Sequence, residues 1–180
     1  MAEIKSTLDI VLEKTKNLKL SSEEIKEQKN KEIEMRLKGL LQKYLDGMLS
    51  LENFNNDYVK LRSDCDLAGD AILINEIVTR LKVDEDNQTL LGLLKTFGIT
   101  STAFESVFSD YQNAYQSAAQ NRIEQLKNQL ATTHTISGSA VVPNLNADEQ
   151  WRRDVQGIRI RFEEKLIREK DKLRKDNQKS

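Results

Sequence analysis

Residues 102–130 read TAFESVFSDYQNAYQSAAQNRIEQLKNQL. Phe104, Val107, Phe108, Tyr111, Ala114, Tyr115, Ala118, Ala119, Ile123, Leu126 and Leu130 recur there at intervals of mostly three and four. That spacing stacks side chains on one face of an α-helix. At 1.5 Å per residue the helix runs for about 43 Å, close to the diameter of a compact domain of this size. It therefore spans the molecule or projects from it, and needs a long partner. Trp151, Val155, Ile158, Phe162, Leu166 and Leu173 supply one, as a sparse stripe over about 147–175. Between the two, ATTHTISGSAVVPNLN (131–146) replaces Lys, Glu and Leu with β-branched and small residues and holds the only proline, Pro143. The expectation is that helix stops at 130 and that 131–146 is a loop, with ISGSAVV having the form of a tiny β-hairpin about Ser137-Gly138. The two long helices then fold back antiparallel with this loop at one tip. Asn146 with Glu149 has the spacing of a capping box for the last helix.

The remaining elements are also helical. Ile4, Leu8, Val11, Leu12, Thr15 and Leu18 make an amphipathic helix of 3–18. Ser21 with Glu24 forms a capping box, and Leu20 with Ile25 a hydrophobic staple, for a helix from about 22 to 46 that ends at Asp46-Gly47. Its stretch 26–36 offers few apolar residues and must be largely solvated. Leu49-Ser50 opens a third helix near 51, with a break expected at 64–67 ahead of AILINEIVTRL (71–81), the centre of the fold. VDEDN (83–87) is a polar connector, LLGLLKTFG (90–98) a short buried helix closed by Gly98, and Thr100 or Ser101 the cap of the long helix. The fold class is all-α: an irregular bundle of about six helices with a long antiparallel helical hairpin. Residues 1–100 form the body and 101–180 the hairpin, as one cooperative unit.

Composition agrees. Leu, Ile, Val and Phe make up 27% of the 180 residues, enough for a core, while one proline and seven glycines are too few for a sandwich or a doubly wound sheet. The lone Cys65 can make neither an internal disulfide nor a thiolate metal site, which points to a reducing, cytoplasmic setting. No signal-peptide core or run of about 18 apolar residues is present, so no membrane partner is expected.

Chemistry-bearing motifs are few. One histidine, His134, leaves no H-E-x-x-H helix and no Glu-x-x-His pair for a carboxylate-bridged metal centre. Asp64, Asp66 and Asp70 lack the glycine and terminal glutamate of an EF-hand, and Asp66 reads as a helix cap. No Gly-rich phosphate loop or nucleophile elbow occurs. Cys65 lies on an apolar stripe and reads as a small buried hydrophobe. His134 reads as a solvated loop residue, and SGSAVVPN as a structural turn rather than an anion site. No catalytic residue, metal or cofactor is expected.

Charge is unevenly placed. Residues 151–180 hold eleven Lys or Arg against six Asp or Glu, whereas 1–150 hold seventeen against twenty-three, so the net charge of −1 is a cancellation. The basic helix supplies the candidate interaction surface: Arg152, Arg153, Arg159, Arg161, Arg168, Lys170, Lys172, Arg174 and Lys175. Asp154, Glu163, Glu164, Glu169, Asp171 and Asp176 interrupt it, giving ion-pair spacings such as Glu164 to Arg168. Trp151 and Phe162 stand available for stacking on bases.

EIKSTLDIVLEKTKNL (3–18) and SGSAVVPNL (137–145) resemble uncharacterised bacterial all-helical proteins. The resemblance implies a bacterial cytoplasmic origin and brings no activity, ligand or catalytic residue with it. The leading expectation is a non-enzymatic helical interaction protein that binds a protein partner or self-associates as a homodimer. The alternative is an auxiliary nucleic-acid-binding protein using the basic terminal helix.

Overall fold

The computed structural model describes residues 21–65, 67 and 69–177, with only the backbone of residues 22, 25 and 26. The expected helix 3–18, the Leu20–Ile25 staple and the cap at Asp66 lie outside the described residues or side chains. Among the described residues there are six α-helices, one short 3-10 turn and no strand. These are α1 (Ser22–Leu45), α2 (Leu51–Asp64), α3 (Ala71–Arg80), α4 (Gln88–Thr96), α5 (Thr102–His134) and α6 (Glu149–Asn177). The protein is all-helical. Contacts divide it between residues 68 and 69 into two compact units, so α3 and α4 belong with the long helices.

The first unit is a helical hairpin whose ends are set locally. Ser21 Oγ accepts from Glu24 N–H (3.1 Å) and Glu24 Oε2 accepts from Ser21 N–H (2.7 Å), completing the capping box. Gly47, at φ 71°, closes α1, with Met48 N–H bonded to Lys43 O and Gly47 N–H to Tyr44 O. Ser50 Oγ then accepts from Asn53 N–H and starts α2. Leu37, Leu41, Phe54 and Tyr58 form the interior, with the Tyr44 and Phe54 rings 5.1 Å apart. Residues 27–32 are exposed, as the thin apolar pattern there requires.

In the second unit Leu73, Ile74, Ile77, Val78 and Leu81 are all buried, which makes α3 the centre of the packing. Its chain runs into a turn held by Asn87, then α4, whose Leu90, Leu91, Leu93 and Leu94 are buried. Gly98 closes α4 at φ 74°, with Ile99 N–H bonded to Leu94 O. Ser101 caps α5 by position, but its hydroxyl donates to Glu105 Oε1 (2.7 Å) instead of accepting from the backbone.

α5 and α6 form the antiparallel hairpin. Tyr111 meets Phe162 edge-on at 5.8 Å, Tyr115 meets Trp151 at 5.2 Å, and Arg122 pairs with Asp148, so partners descend in α6 as they ascend in α5. Three expectations for the tip are corrected. Helix continues to His134, because β-branched residues reduce helix stability by only tenths of a kcal/mol; within this last turn the Thr132 hydroxyl donates to Asn128 O. Residues 135–144 contain a turn closed by Val141 N–H to Gly138 O, and no strand forms there. The cap of α6 is Asp148, whose Oδ1 accepts from Trp151 N–H at 2.6 Å, while Asn144 caps the 3-10 turn Leu145–Ala147. Asn146 and Glu149 do not make the expected box.

Candidate functional site

The basic residues of α6 divide by the direction in which they leave the helix. Lys170, Arg174 and Arg159 turn inward. Lys170 Nζ donates to Leu81 O (2.7 Å) and Thr79 O (3.2 Å), satisfying carbonyls at the end of α3 that have no helical partner. Arg174 donates to Asn75 Oδ1 (2.8 Å) and Thr79 Oγ1 (3.1 Å). Arg159 pairs with Asp84 (3.2 Å) and Glu163 (2.8 Å). Burial, with Arg174 and Lys82 nearby, pushes the Lys170 ammonium below the ordinary lysine range. These three cations hold α6 to the α3 end and its turn.

The outward cations are Arg152, Arg153, Arg161, Arg168, Lys172 and Lys175, all exposed. Arg153 pairs with Glu149 and Lys172 with Glu169 along the helix. Arg161, Arg168, Lys172 and Lys175 align with Lys165, which the candidate set lacks. Successive members are four, three, four and three residues apart, the interval that places side chains above one another on a helix. The row is about 21 Å long at 1.5 Å per residue. Its inner edge rests on an aromatic ring: Lys165 Nζ lies 4.4 Å and Arg161 Cζ 5.0 Å from the Phe162 centroid. Glu164 and Asp171 flank the row, and Glu164 makes no ion pair with Arg168. Ile160 (48% exposed) and Ile167 (55% exposed), one heptad apart, lie beyond those acids.

Trp151 and Phe162 are 4% and 3% exposed, packed against Tyr115 and Tyr111. Neither can stack on a base, which corrects that expectation. The physical reason is that both sit on the apolar stripe, and burying an aromatic there outweighs presenting it to solvent.

The second feature is at the hairpin tip. A groove of about 290 Å³ opens between Leu126, Gln129, Leu130 and His134 of α5 and Pro143, Asn144, Ala147 and Asp148. Asp148 is committed to Arg122, through two bonds of 2.9 and 2.8 Å, and to Trp151 N–H. The Arg122 guanidinium and the Trp151 N–H hold its carboxyl below the usual range. His134 is exposed and ends α5 rather than lying in the loop. Thr135 follows it in the left-handed conformation, φ 55°, which is unfavourable for a β-branched residue.

Cys65 is a half-buried thiol just after α2. Among the described residues no group of three or more His, Cys, Asp or Glu could hold a metal ion, and no helix is long and apolar enough to cross a membrane. No protein-family model, curated protein or solved structure matches the chain.

Proposed function

We propose that this chain is a non-enzymatic helical interaction protein that presents the outward face of α6 to a protein partner. The observation that supports this reading is the row Arg161, Lys165, Arg168, Lys172 and Lys175, exposed and aligned, beside the exposed Ile160 and Ile167. Mixed charge flanking two apolar contacts at heptad spacing suits a partner helix, with the ions selecting the partner and its orientation. Photo-crosslinking in the source cell tests it. A photoreactive residue at Ile160, Glu164 or Arg168 should give specific protein adducts, and one at the α5 positions Gln116 or Gln120 should not. Adducts absent from the α6 positions, or equally abundant at both helices, would remove the reading.

A second reading is favoured by the same row of cations: binding to a nucleic-acid backbone without base stacking. Five phosphate contacts correspond to a log–log salt slope of about −4.5 on duplex DNA. Retention on a DNA column with a slope of that size would support it. Absence of retention at low salt would end it.

A further inference from the structure

Val83, Asp84 and Glu85 of the turn after α3 and Tyr111, Gln112 and Tyr115 of α5 line a cleft of about 330 Å³. Tyr111 is only 8% exposed, yet its hydroxyl makes no hydrogen bond. Among the described residues no sealed side-chain nitrogen or oxygen lacks a partner, so this oxygen is the part of a buried ring that opens on the cleft. Buried polar groups are normally satisfied, and this one can be satisfied only from the cleft. Burial and the charge of Asp84 push the hydroxyl above the ordinary tyrosine range, so it stays protonated and can donate and accept. The Tyr115 ring, half-buried, packs 6.4 Å from Tyr111 and 5.2 Å from Trp151, which fixes it, and its hydroxyl is likewise unbonded. Asp84 Oδ2 pairs with Arg159 (3.2 Å) and Glu85 Oε1 with Lys82 (2.6 Å), and the second oxygen of each carboxylate accepts no hydrogen bond.

We infer that this cleft binds a primary alkylammonium group, with the Tyr111 and Tyr115 hydroxyls and the Asp84 carboxylate accepting its three N–H donors. No basic residue lines the cleft, and around it Asp84, Glu85 and Glu163 stand against Lys82 and Arg159, three carboxylates to two cations. An anion is therefore repelled, and the unused capacity is mostly that of acceptors. A quaternary ammonium brings no N–H and leaves those acceptors unmet. A guanidinium prefers both oxygens of one carboxylate, and Asp84 has already given one to Arg159. The alkyl stem of a primary amine finds the buried Val83 and the two tyrosine rings beside it. The cleft lies apart from the cation row of α6, so the two readings can fail separately.

Such a group comes free, as in a diamine, or on a lysine side chain, and two probes separate the sources. The full chain with isotope-labelled tyrosine rings gives one set of resonances for each of its four tyrosines, of which Tyr44 and Tyr58 belong to the first unit and serve as controls. Titration at constant ionic strength with 1,4-diaminobutane, or with a lysine blocked at both ends, should shift Tyr111 and Tyr115 with a Kd of about 1 mM, ordinary for so small a ligand, and leave the controls still. Tighter binding of the diamine supports a free amine as the source, and tighter binding of the blocked lysine a peptide. Tetramethylammonium and glycerol should shift neither ring. Tyr111→Phe keeps the packing on Phe162 and removes only the hydroxyl, so binding read at Tyr115 should weaken about tenfold while the thermal midpoint stays that of the parent. Asp84→Asn should weaken binding about tenfold or more. Tyr111 and Tyr115 unmoved by about 20 mM of either amine, or moved equally by tetramethylammonium or glycerol, overturn the inference. A Tyr111→Phe chain that binds like the parent overturns it as well, and so does one whose midpoint falls by several degrees, because the hydroxyl would then be bonded within the protein.

Discussion

Replacing Asn87 by alanine should loosen the turn that joins α3 to α4, and with it the anchorage of α6. Asn87 is 6% exposed, and all its side-chain bonding capacity but one site is used inside the turn. Its amide donates to Lys82 O (2.7 Å) and Glu85 O (2.8 Å), and its carbonyl accepts from Lys82 N–H (3.1 Å). At about 0.5–1.5 kcal/mol net per bond, losing three costs about 1.5–4.5 kcal/mol. Lys82 and Glu85 are themselves exposed, so water recovers part of this, and about 2–3 kcal/mol is the expected loss. At roughly 4 °C per kcal/mol for a unit of this size, the midpoint should fall by about 10 °C. Asn87→Asp should be worse near neutral pH, because it sets a carboxylate against two carbonyl oxygens while keeping only the bond from Lys82 N–H. That carboxyl would have its pKa raised in the folded state. The folded protein would then hold a proton more tightly than the unfolded chain, and the deficit of this variant should shrink toward that of Asn87→Ala as pH falls. The same turn positions Leu81 O for Lys170 and Asp84 for Arg159, so amide exchange in the second half of α6 should quicken in both variants. Thermal unfolding followed by circular dichroism, with exchange mass spectrometry, gives both readouts. If Asn87→Ala lies within about 0.5 kcal/mol of the parent, or if the two variants share one pH profile, the turn does not depend on this side chain.

Other predictions test the hairpin. Phe162→Ala should cost about 3–5 kcal/mol through the cavity left against Tyr111, and Phe162→Leu much less; equal losses in chemical denaturation would contradict the packing described. Asp148 is an acid whose folded pKa is depressed, so its contribution is present above the ordinary carboxyl range and is lost as pH falls through the depressed value. Asp148→Asn should therefore flatten the acid limb of a urea-midpoint profile, and a parallel profile would remove Arg122 and Trp151 N–H as the cause. Thr135→Gly relieves a left-handed β-branched residue at about 1–2 kcal/mol and gives back about 0.5–1 kcal/mol in chain entropy, so a gain of about 0.5–1 kcal/mol is expected. Destabilisation in the same melt would show that the Thr135 side chain is needed.

Much of the helical framework was legible in the sequence because its signals are local. The box at Ser21 and Glu24, the cap at Ser50 and the left-handed Gly47 and Gly98 each act across a few residues, and the pattern that names them is the interaction itself. The end of α5 at His134 was not legible because β-branched residues disfavour helix by only tenths of a kcal/mol each. Lys165 could have been found beside Arg161 and Arg168 by helical spacing alone.

By itself the sequence determined an all-helical protein with two long amphipathic segments, one uncharged loop between them, and a basic helix at the end of an acidic chain. It could not say which of those basic residues face a partner. Lys170 reaches carbonyls 89 and 91 positions away, Arg174 reaches Asn75 and Thr79, and Arg159 reaches Asp84. Nor could it say that the loop folds back on α5 to leave a groove between His134, Pro143 and Asp148. Caps and stripes are written in neighbouring residues, whereas the direction in which a charged or aromatic side chain leaves its helix depends on which distant element buries the opposite face.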